Sequence, residues 1–269
     1  MQKITDNIYV ESESSVCNTG IVVTSEGVVV IDTPMAPVNA KKLAAELADF
    51  GPIRYLINTE PHPDHIAGNC YFGGTAIAQD GAHDLIRDAD VEDVKGFLQM
   101  MSPESLPLDE NFRFRPPEIT FSEQLTLYLG DHTLNLIHMP GHTPFSLAVH
   151  IPEERTVFTS DNINLNMPVF RDALPDKWVE SLNKCAELDV DKVVPGHGAV
   201  GDKSSFKQMA DLVQSWTDVV ADAIGKGLTL EQALVEVPKA EMFAGMSGEG
   251  RPEGFLNMNI ERIYQVLKK

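Results

Sequence analysis

The succession of elements along this chain predicts an α/β fold, in which two mixed β-sheets pack together and helices lie outside them. Two observations carry the prediction. Residues 21–78 and 125–160 are each rich in short β-branched or alternating apolar runs. Each of these strand-rich stretches is followed by segments whose apolar residues recur at helical spacing. That repetition is typical of two sheets, each covered by its own helices.

The first half of the chain begins with a predicted hairpin at residues 21–31, where two β-branched runs flank Ser25-Glu26-Gly27. A helix is expected at 36–50, because Leu43, Leu47 and Phe50 fall on one face and Gly51-Pro52 follows. The remaining expected elements are strands at 53–57 and 75–78 and helices at 66–72, 83–88 and 91–101. The last of these carries an apolar cluster that looks exposed, Phe97, Leu98, Met100 and Met101.

The second half repeats this order. A hairpin is predicted around Gly130-Asp131, and Thr229 with Gln232 has the spacing of a helix-capping box. The expected strands are 125–129, 134–138, 146–151, 156–160 and 192–194, and the expected helices are 178–188, 206–224, 229–235 and 257–267.

We expect one domain over residues 1–269, since this length supports a single large core. Residues 83–118 include an irregular, proline-rich stretch, which is either a lid over a site or a connector. Residues 239–256 contain four glycines and form a candidate pocket loop.

Composition narrows the class of partner. The net charge of −19 disfavours nucleic acids and anionic membranes, and basic clusters are absent from the sequence. Apolar runs long enough to span a bilayer and a signal-peptide core are also absent, so we expect a cytoplasmic protein. The three cysteines lie far apart and are expected to be free thiols. These features favour a small-molecule substrate and leave the oligomeric state open.

The most informative stretch is 58–69, which reads N-T-E-P-H-P-D-H-I-A-G-N. Pro61 and Pro63 make it a stiff, extended loop at the end of a predicted strand. Four potential metal ligands fall within six residues, namely Glu60, His62, Asp64 and His65. Carboxylate and imidazole suit zinc and its first-row neighbours, so the loop predicts a metal site.

Three further potential ligands follow predicted strands. His142 lies in M-P-G-H-T-P, Asp161 in V-F-T-S-D-N and His197 in V-V-P-G-H-G. A single histidine after a strand is usually structural, but three such residues together with the first loop favour one shared site. The other histidines have no comparable setting and are interpreted as structural or surface residues, His83, His132, His138 and His150.

The order of these motifs resembles the metallo-β-lactamase-fold hydrolase superfamily, and the resemblance runs from the first hairpin to the P-G-H-G motif. It implies a four-layer αββα sandwich with two metals at one edge of the sheets. One metal would take Glu60, His62 and His142. The other would take Asp64, His65 and His197. Asp161 matches the aspartate that bridges both metals.

Glu60 departs from the family pattern, which usually has histidine at that position. With Asp64, Asp161 and a bridging hydroxide, Glu60 would balance the four positive charges of two divalent cations. An oxygen-rich site tolerates manganese or iron better than an all-histidine site does. Zinc also accepts carboxylate and stays the expected metal.

The resemblance implies hydrolysis of a carbonyl bond in an ester, lactone, thioester or amide by the metal-bridging hydroxide, with Asp64 orienting it or handling its proton. Two alternatives are open: β-lactamase-type amide hydrolysis and iron-dependent redox chemistry on the same fold. The β-lactamase reaction would need a cation for the substrate carboxylate, and Arg171, Lys203 and Arg251 are the candidates.

Overall fold

In a computed structural model that describes residues 1–13, 16–101, 103–165, 168–243 and 254–268, the chain forms two mixed sheets. The first sheet has seven strands in sequence order, antiparallel from β1 to β4 and parallel from β4 to β7. Its strands are Gln2–Lys3 (β1), Ile8–Glu11 (β2), Thr19–Thr24 (β3), Gly27–Ile31 (β4), Ile53–Ile57 (β5), Thr75–Gln79 (β6) and Ile119–Phe121 (β7).

The second sheet has five strands in the order β12-β11-β10-β9-β8. Among the described strands of this second sheet, β11 and β12 pair in parallel and the other neighbours pair antiparallel. Its strands are Gln124–Leu129 (β8), His132–His138 (β9), Leu147–Ile151 (β10), Thr156–Phe158 (β11) and Lys192–Val194 (β12).

Within the described residues, eight α-helices cover the outer faces of the two sheets. Four lie in the first half, Pro37–Leu47 (α1), Pro63–Ile66 (α2), Ala82–Arg87 (α3) and Val91–Met101 (α4). Four lie in the second half, Pro175–Cys185 (α5), Ser204–Gly225 (α6), Leu230–Glu236 (α7) and Phe255–Leu267 (α8). The predicted capping box at Thr229 and Gln232 opens α7. Within the described residues, no helix has the length and apolar character that a membrane span requires.

The alternation of side chains along β4 shows how the layers are built. Val28 and Val30 pack toward α1, while Val29 and Ile31 pack between the two sheets. Successive strand residues point to opposite faces, so a strand covered on both sides is apolar throughout. A third cluster, around Trp216, fills the space between the second sheet and the helices α5, α6 and α8. The predicted four-layer αββα sandwich is therefore confirmed.

Some predicted local features were wrong. The strands β1, β2 and β7 were not expected, and the chain after His62 is not extended, because α2 begins at Pro63. Leu98 was assigned to an exposed cluster but is fully buried, whereas Met100 is 63% exposed. The partners of Leu98 lie in the loop after β4 and in the turn after α2, which sequence spacing along α4 cannot show.

The two segments singled out as a lid and a pocket loop have the following contacts. In 83–118, α4 buries Val94 and Leu98, and Arg115 donates hydrogen bonds to the carbonyl oxygens of Phe72 and Gly74. In 239–256, the described Phe243 packs in the core, and residues 244–253 lie outside the described residues. A lid and a pocket loop stay predictions.

Candidate metal centre

The central loop of the candidate site follows β5 at the carboxyl end of the first sheet. Glu60 is fully buried, and His62 keeps extended backbone with φ −68° and ψ 147°. Pro63 then begins α2, because proline fits the first position of a helix. The short helix turns Asp64 and His65 back toward Glu60, which brings the four side chains of this loop to one place.

The structure brings all seven predicted residues together. Their ligand atoms form three overlapping groups, and within each group the atoms lie within 4.8 Å of one another. The groups are Glu60, His62 and His142; Asp64, His65 and His197; and Glu60, His65 and Asp161. The first two groups have the same members as the two ligand sets that the family resemblance implied. The third group shares Glu60 with the first and His65 with the second.

We call Glu60, His62 and His142 the first group. Glu60 Oε2 lies 2.7 Å from His62 Nδ1, and Glu60 Oε1 lies 3.6 Å from His142 Nε2. The two facing ring nitrogens, Nδ1 of His62 and Nε2 of His142, are 3.2 Å apart. Three ligand atoms thus surround one small volume.

We call Asp64, His65 and His197 the second group. Asp64 Oδ2 lies 3.2 Å from His197 Nε2 and 3.7 Å from His65 Nε2. Asp161 Oδ1 lies 3.2 Å from His197 Nε2, and its Oδ2 lies 3.8 Å from a first-group atom, Nε2 of His142. Asp161 therefore sits between the two groups.

Glu60 also reaches both groups. Its Oε1 is 3.1 Å from His65 Nε2, and its Oε2 contacts His62. A histidine at residue 60 would offer one ring nitrogen to the site, whereas the carboxylate offers two oxygens. The departure from the family pattern therefore adds a contact across the site as well as a charge.

The local backbone explains how Asp161 is placed. Ser160 has φ 54°, in the left-handed region, and turns the chain after β11. Gly196 donates its N–H to the Ser160 carbonyl at 2.7 Å, and any side chain at residue 196 would overlap Asp161. Asn162 Oδ1 accepts the N–H of His142 at 2.8 Å, which ties the two loops together.

The outer ring nitrogens of the first-group histidines are both hydrogen-bonded to acceptors. His62 Nε2 lies 3.1 Å from Asp172 Oδ2, and His142 Nδ1 lies 2.9 Å from the carbonyl oxygen of Val169. A carbonyl or an ionised carboxylate only accepts, so these nitrogens donate. The nitrogens that face Glu60 are then left with lone pairs when the rings are neutral.

The second-group histidines follow the same arrangement. His65 Nδ1 lies 2.9 Å from Asp32 Oδ2, and His197 Nδ1 lies 2.8 Å from the carbonyl oxygen of Val16. In metalloproteins, a ligand histidine usually donates a hydrogen bond from its other ring nitrogen, because this bond sets the tautomer and the ring orientation. All four imidazoles thus have the outer nitrogen hydrogen-bonded and the other nitrogen directed at the carboxylates.

The electrostatics of the cluster agree with this arrangement. Burial lowers the pKa of His62, but the nearby Glu60 carboxylate and Asp172 outweigh burial and raise the pKa to about 10. Burial likewise lowers the pKa of His197, and Asp161 and Asp64 raise it to about 10. The carboxylates therefore attract positive charge at the ring nitrogens that face them, and a metal cation would satisfy the same demand.

The polar atoms at the centre provide a direct test of whether a cation fits. Four of them are buried without a hydrogen-bond partner of standard geometry, both carboxylate oxygens of Glu60, Nε2 of His65 and Oδ1 of Asp161. Burying such groups unpaired is costly, and buried charges are normally paired or bound to metal. The oxygen and nitrogen donors are those preferred by zinc, manganese and iron. The residues therefore fit divalent metal cations.

Within the described residues, two clefts border the loop that carries Glu60. One, of ≈ 460 Å³, is lined by Asp64, Phe97 and Met100, and the other, of ≈ 370 Å³, by His62 and Phe145. Arg171 lines both clefts. Of the other two candidate cations, Lys203 donates to the Leu188 carbonyl on the surface, and Arg251 lies outside the described residues.

Sequence reasoning missed the residues that support the site. Asp32 follows β4 directly, at a φ of 58°, and this strand-end position was a readable signal. Asp172 and Val169 lie in a segment without regular structure, where nothing in the sequence marks them. The four remaining histidines contribute no ligand atom to the three groups, His83, His132, His138 and His150.

Comparison with known proteins finds curated relatives that match half of this chain or more. The linear primary-alkylsulfatase of Pseudomonas sp. is 24% identical over 284 residues, covering 89% of this chain and 53% of that protein. The acyl-coenzyme A thioesterase MBLAC2 of Homo sapiens is 27% identical over 154 residues, covering 52% of this chain and 54% of that protein. The chain thus spans about half the length of these curated relatives.

Solved structures share the fold. The sec-alkylsulfatase Pisa1 from Pseudomonas sp. superposes with a TM-score of 0.71 at 16% identity, over 98% of this chain and 49% of that one. A metallo-beta-lactamase from Pontibacter korlensis superposes with a TM-score of 0.62 at 20% identity, over 79% of this chain and 97% of that one. At these identities the likeness concerns the fold alone.

A family model described as the metallo-beta-lactamase superfamily matches residues 14–197. That region contains both sheets from β3 onward and ends at His197, so it includes all seven converging side chains. By sequence and by architecture, the chain belongs to the metallo-beta-lactamase superfamily.

Proposed function

We propose that this protein is a metal-dependent hydrolase with a dinuclear centre that acts on a carbonyl bond of a small organic substrate. Each cation would be held by one group of ligands, with Asp161 between them. The observation that most supports this proposal is that the four imidazoles share one hydrogen-bonding arrangement. Each donates from its outer nitrogen and directs the other nitrogen at buried carboxylates.

Zinc is the proposed metal, with manganese or iron as the alternatives that the oxygen-rich ligand set tolerates. When bound, such cations supply Lewis-acid polarisation of the scissile group and lower the pKa of a bound water molecule. Glu60, Asp64 and Asp161 balance most of their charge.

Asp64 is the proposed catalytic residue. Its side chain is 18% exposed, whereas that of Glu60 is fully buried and that of Asp161 is 8% exposed. Asp64 also lines the ≈ 460 Å³ cleft, so a substrate and a water molecule can reach its carboxylate. Burial raises the pKa of Asp64, but His65 and His197 outweigh burial and lower it, which keeps the carboxylate ionised. It can therefore orient a water molecule and accept its proton.

The clefts indicate the kind of substrate. Phe97, Met100 and Leu85 give them apolar walls, and Met100 and Leu85 are 63% and 50% exposed. Arg171 donates from Nε to Asp172 and has its Nη1 and Nη2 without a described hydrogen-bond partner. These features support a substrate with an apolar part and one anionic or polar group.

A second candidate reaction is hydrolysis of a sulfate ester. It is favoured by the match to an alkylsulfatase over 89% of this chain and by the presence of Arg171 at both clefts. Arginine recognises planar or tetrahedral oxyanions through several donors at once. The carboxyl-ester and sulfate-ester proposals share the metal centre and differ in the bond that is cleaved.

The test combines metal analysis with a substrate panel on the whole chain. Protein from metal-supplemented growth is assayed with an aryl acetate, a lactone, a thioester, a cephalosporin and an alkyl sulfate. Turnover that Asp64→Ala lowers by about a hundredfold or more and that Asp84→Ala retains would support the proposal, because Asp84 is an exposed acid on α3. A protein that holds two metals and turns over none of these substrates would contradict the proposed hydrolase.

A further inference from the structure

The first-group histidines take their outer hydrogen-bond partners from one short stretch of chain, residues 168–174, which we call the orienting segment. The Asp172 carboxylate accepts a hydrogen bond from His62 Nε2, and the carbonyl oxygen of Val169 accepts one from His142 Nδ1. The second-group histidines use partners elsewhere, Asp32 and Val16. The position of the orienting segment therefore sets the ring orientations of one group and leaves those of the other alone.

The orienting segment has no regular secondary structure and is held by individual hydrogen bonds, among them the backbone bond from Leu174 N–H to the Gly141 carbonyl at 2.8 Å and several side-chain contacts. Two residues of α8 supply four of them. Asn259 accepts the N–H of Phe170 at 2.8 Å and donates to the carbonyl of Pro168 at 2.9 Å. Arg262 donates to the carbonyls of Ala173 at 3.0 Å and Asp172 at 3.3 Å.

These contacts form a specific interface. Asn259 is fully buried, and both ends of its amide are used, as a buried amide requires. Asn259 and Arg262 are three residues apart, so they lie on one face of α8. Phe170, between the bonded carbonyls, packs with its ring centroid 5.5 Å from that of Trp216. The segment is thus held by hydrogen bonds from α8, by the core beneath it and by the backbone bond from Leu174 to Gly141.

We propose that α8 is a positioning element for the first group, acting through Asn259 and Arg262. This inference rests on the proposed metal centre. The family model ends at residue 197, so α8 lies outside the matched region. Loss of either contact should loosen the orienting segment, misdirect the rings of His62 and His142, and weaken cation binding at the first group. Binding at the second group should stay unchanged.

The experiment measures both metal equivalents in the full chain. Metal-free protein is titrated with cobalt(II), followed by visible absorption and by competition with a chelator. Asn259→Ala and Arg262→Ala should each weaken one equivalent by about tenfold or more and leave the other equivalent as in the parent protein. Asp172→Asn should weaken the same equivalent. Gln265→Ala is the matched control, because this residue is exposed on α8 and its side chain donates to Glu261 of the same helix.

The outcomes separate the two proposals. A parent protein that binds no cobalt would remove the metal centre itself. A parent that binds two equivalents, with Arg262→Ala binding both unchanged or both equally weakened, would overturn the positioning role of α8. If Asn259→Ala fails to fold, as circular dichroism would show, Arg262→Ala carries the test, because Arg262 is only partly buried.

Discussion

Nδ1 of His62 and Nε2 of His142 face each other across 3.2 Å, although each ring already donates its outer N–H elsewhere. In neutral rings these two nitrogens both carry lone pairs, which repel at that distance. Glu60 Oε2 adds a negative charge 2.7 Å from the first of them. Three electron-rich atoms directed at one volume are stable only with positive charge among them, either protons or a cation.

We therefore expect about two divalent cations per chain in purified, metal-replete protein. Elemental analysis provides the measurement. A strong chelator should remove the metal and the hydrolytic activity together, and added zinc should restore both. Protein that contains no metal after growth in supplemented medium would contradict the ligand assignment.

Glu60→His should keep metal binding and shift the preference toward zinc. The change removes one negative charge from the cluster and the second oxygen that contacts His65 at 3.1 Å. Softer nitrogen donors favour zinc over manganese. Competition between zinc and manganese, followed by elemental analysis, measures the shift. An unchanged preference between zinc and manganese would contradict the expectation that the negative charge of Glu60 influences metal selectivity.

Asp64→Ala should lower kcat by about a hundredfold or more, since a positioned proton acceptor contributes about 10²–10⁴ in rate. The fold should persist, because Asp64 lies at the cleft and packs in no core cluster. Steady-state kinetics and circular dichroism give the two readouts. A variant with full activity would remove Asp64 from the mechanism.

Gly196→Ala should disturb the site through Asp161. A methyl group at residue 196 would overlap the Asp161 carboxylate, so the carboxylate must move. Overpacking of this kind costs about 1–3 kcal/mol of unfolding free energy. We expect weaker metal binding as well. Gly73→Ala, where a methyl group meets open space, is the control. Equal metal affinity in both variants would contradict the prediction.

His132 should make stability depend on pH. Its two ring nitrogens contact the Asp131 and Glu154 carboxylates at 2.9 and 3.0 Å, and Asn7 also donates to Glu154. Burial lowers the pKa of His132, but the two carboxylates outweigh burial and raise it.

A raised folded-state pKa means that the stabilisation is fully present below about pH 6.5 and is lost as pH rises through the folded pKa. We expect about 1 kcal/mol, since Asp131 is 60% exposed. Denaturant unfolding of the parent and of His132→Gln, across pH 6 to about 9, gives the measurement. A difference between the two proteins that stays constant with pH would rule out a charged His132.

The sequence was sufficient for the fold and for most strands that carry an alternating or β-branched pattern, such as Ile53–Ile57 and Lys192–Val194. It was insufficient for β7, Ile119–Phe121, which is a short edge strand with exposed residues at two of its three positions. The ligand residues were readable because they lie in rigid or glycine-flanked loops at strand ends. Asp172 and Asn259 were not, because their roles depend on contacts between residues that are far apart in the chain.

Four of the seven converging side chains precede the midpoint of the chain, and three follow it. A cation held among them would cross-link the two sheets at one edge. Loss of the cation would break no hydrogen bond within either sheet. The ends of the two sheets would, however, no longer be held at a fixed distance from each other. The melting temperature should then rise with free metal concentration by mass action, which makes the cation a structural brace as well as a reagent.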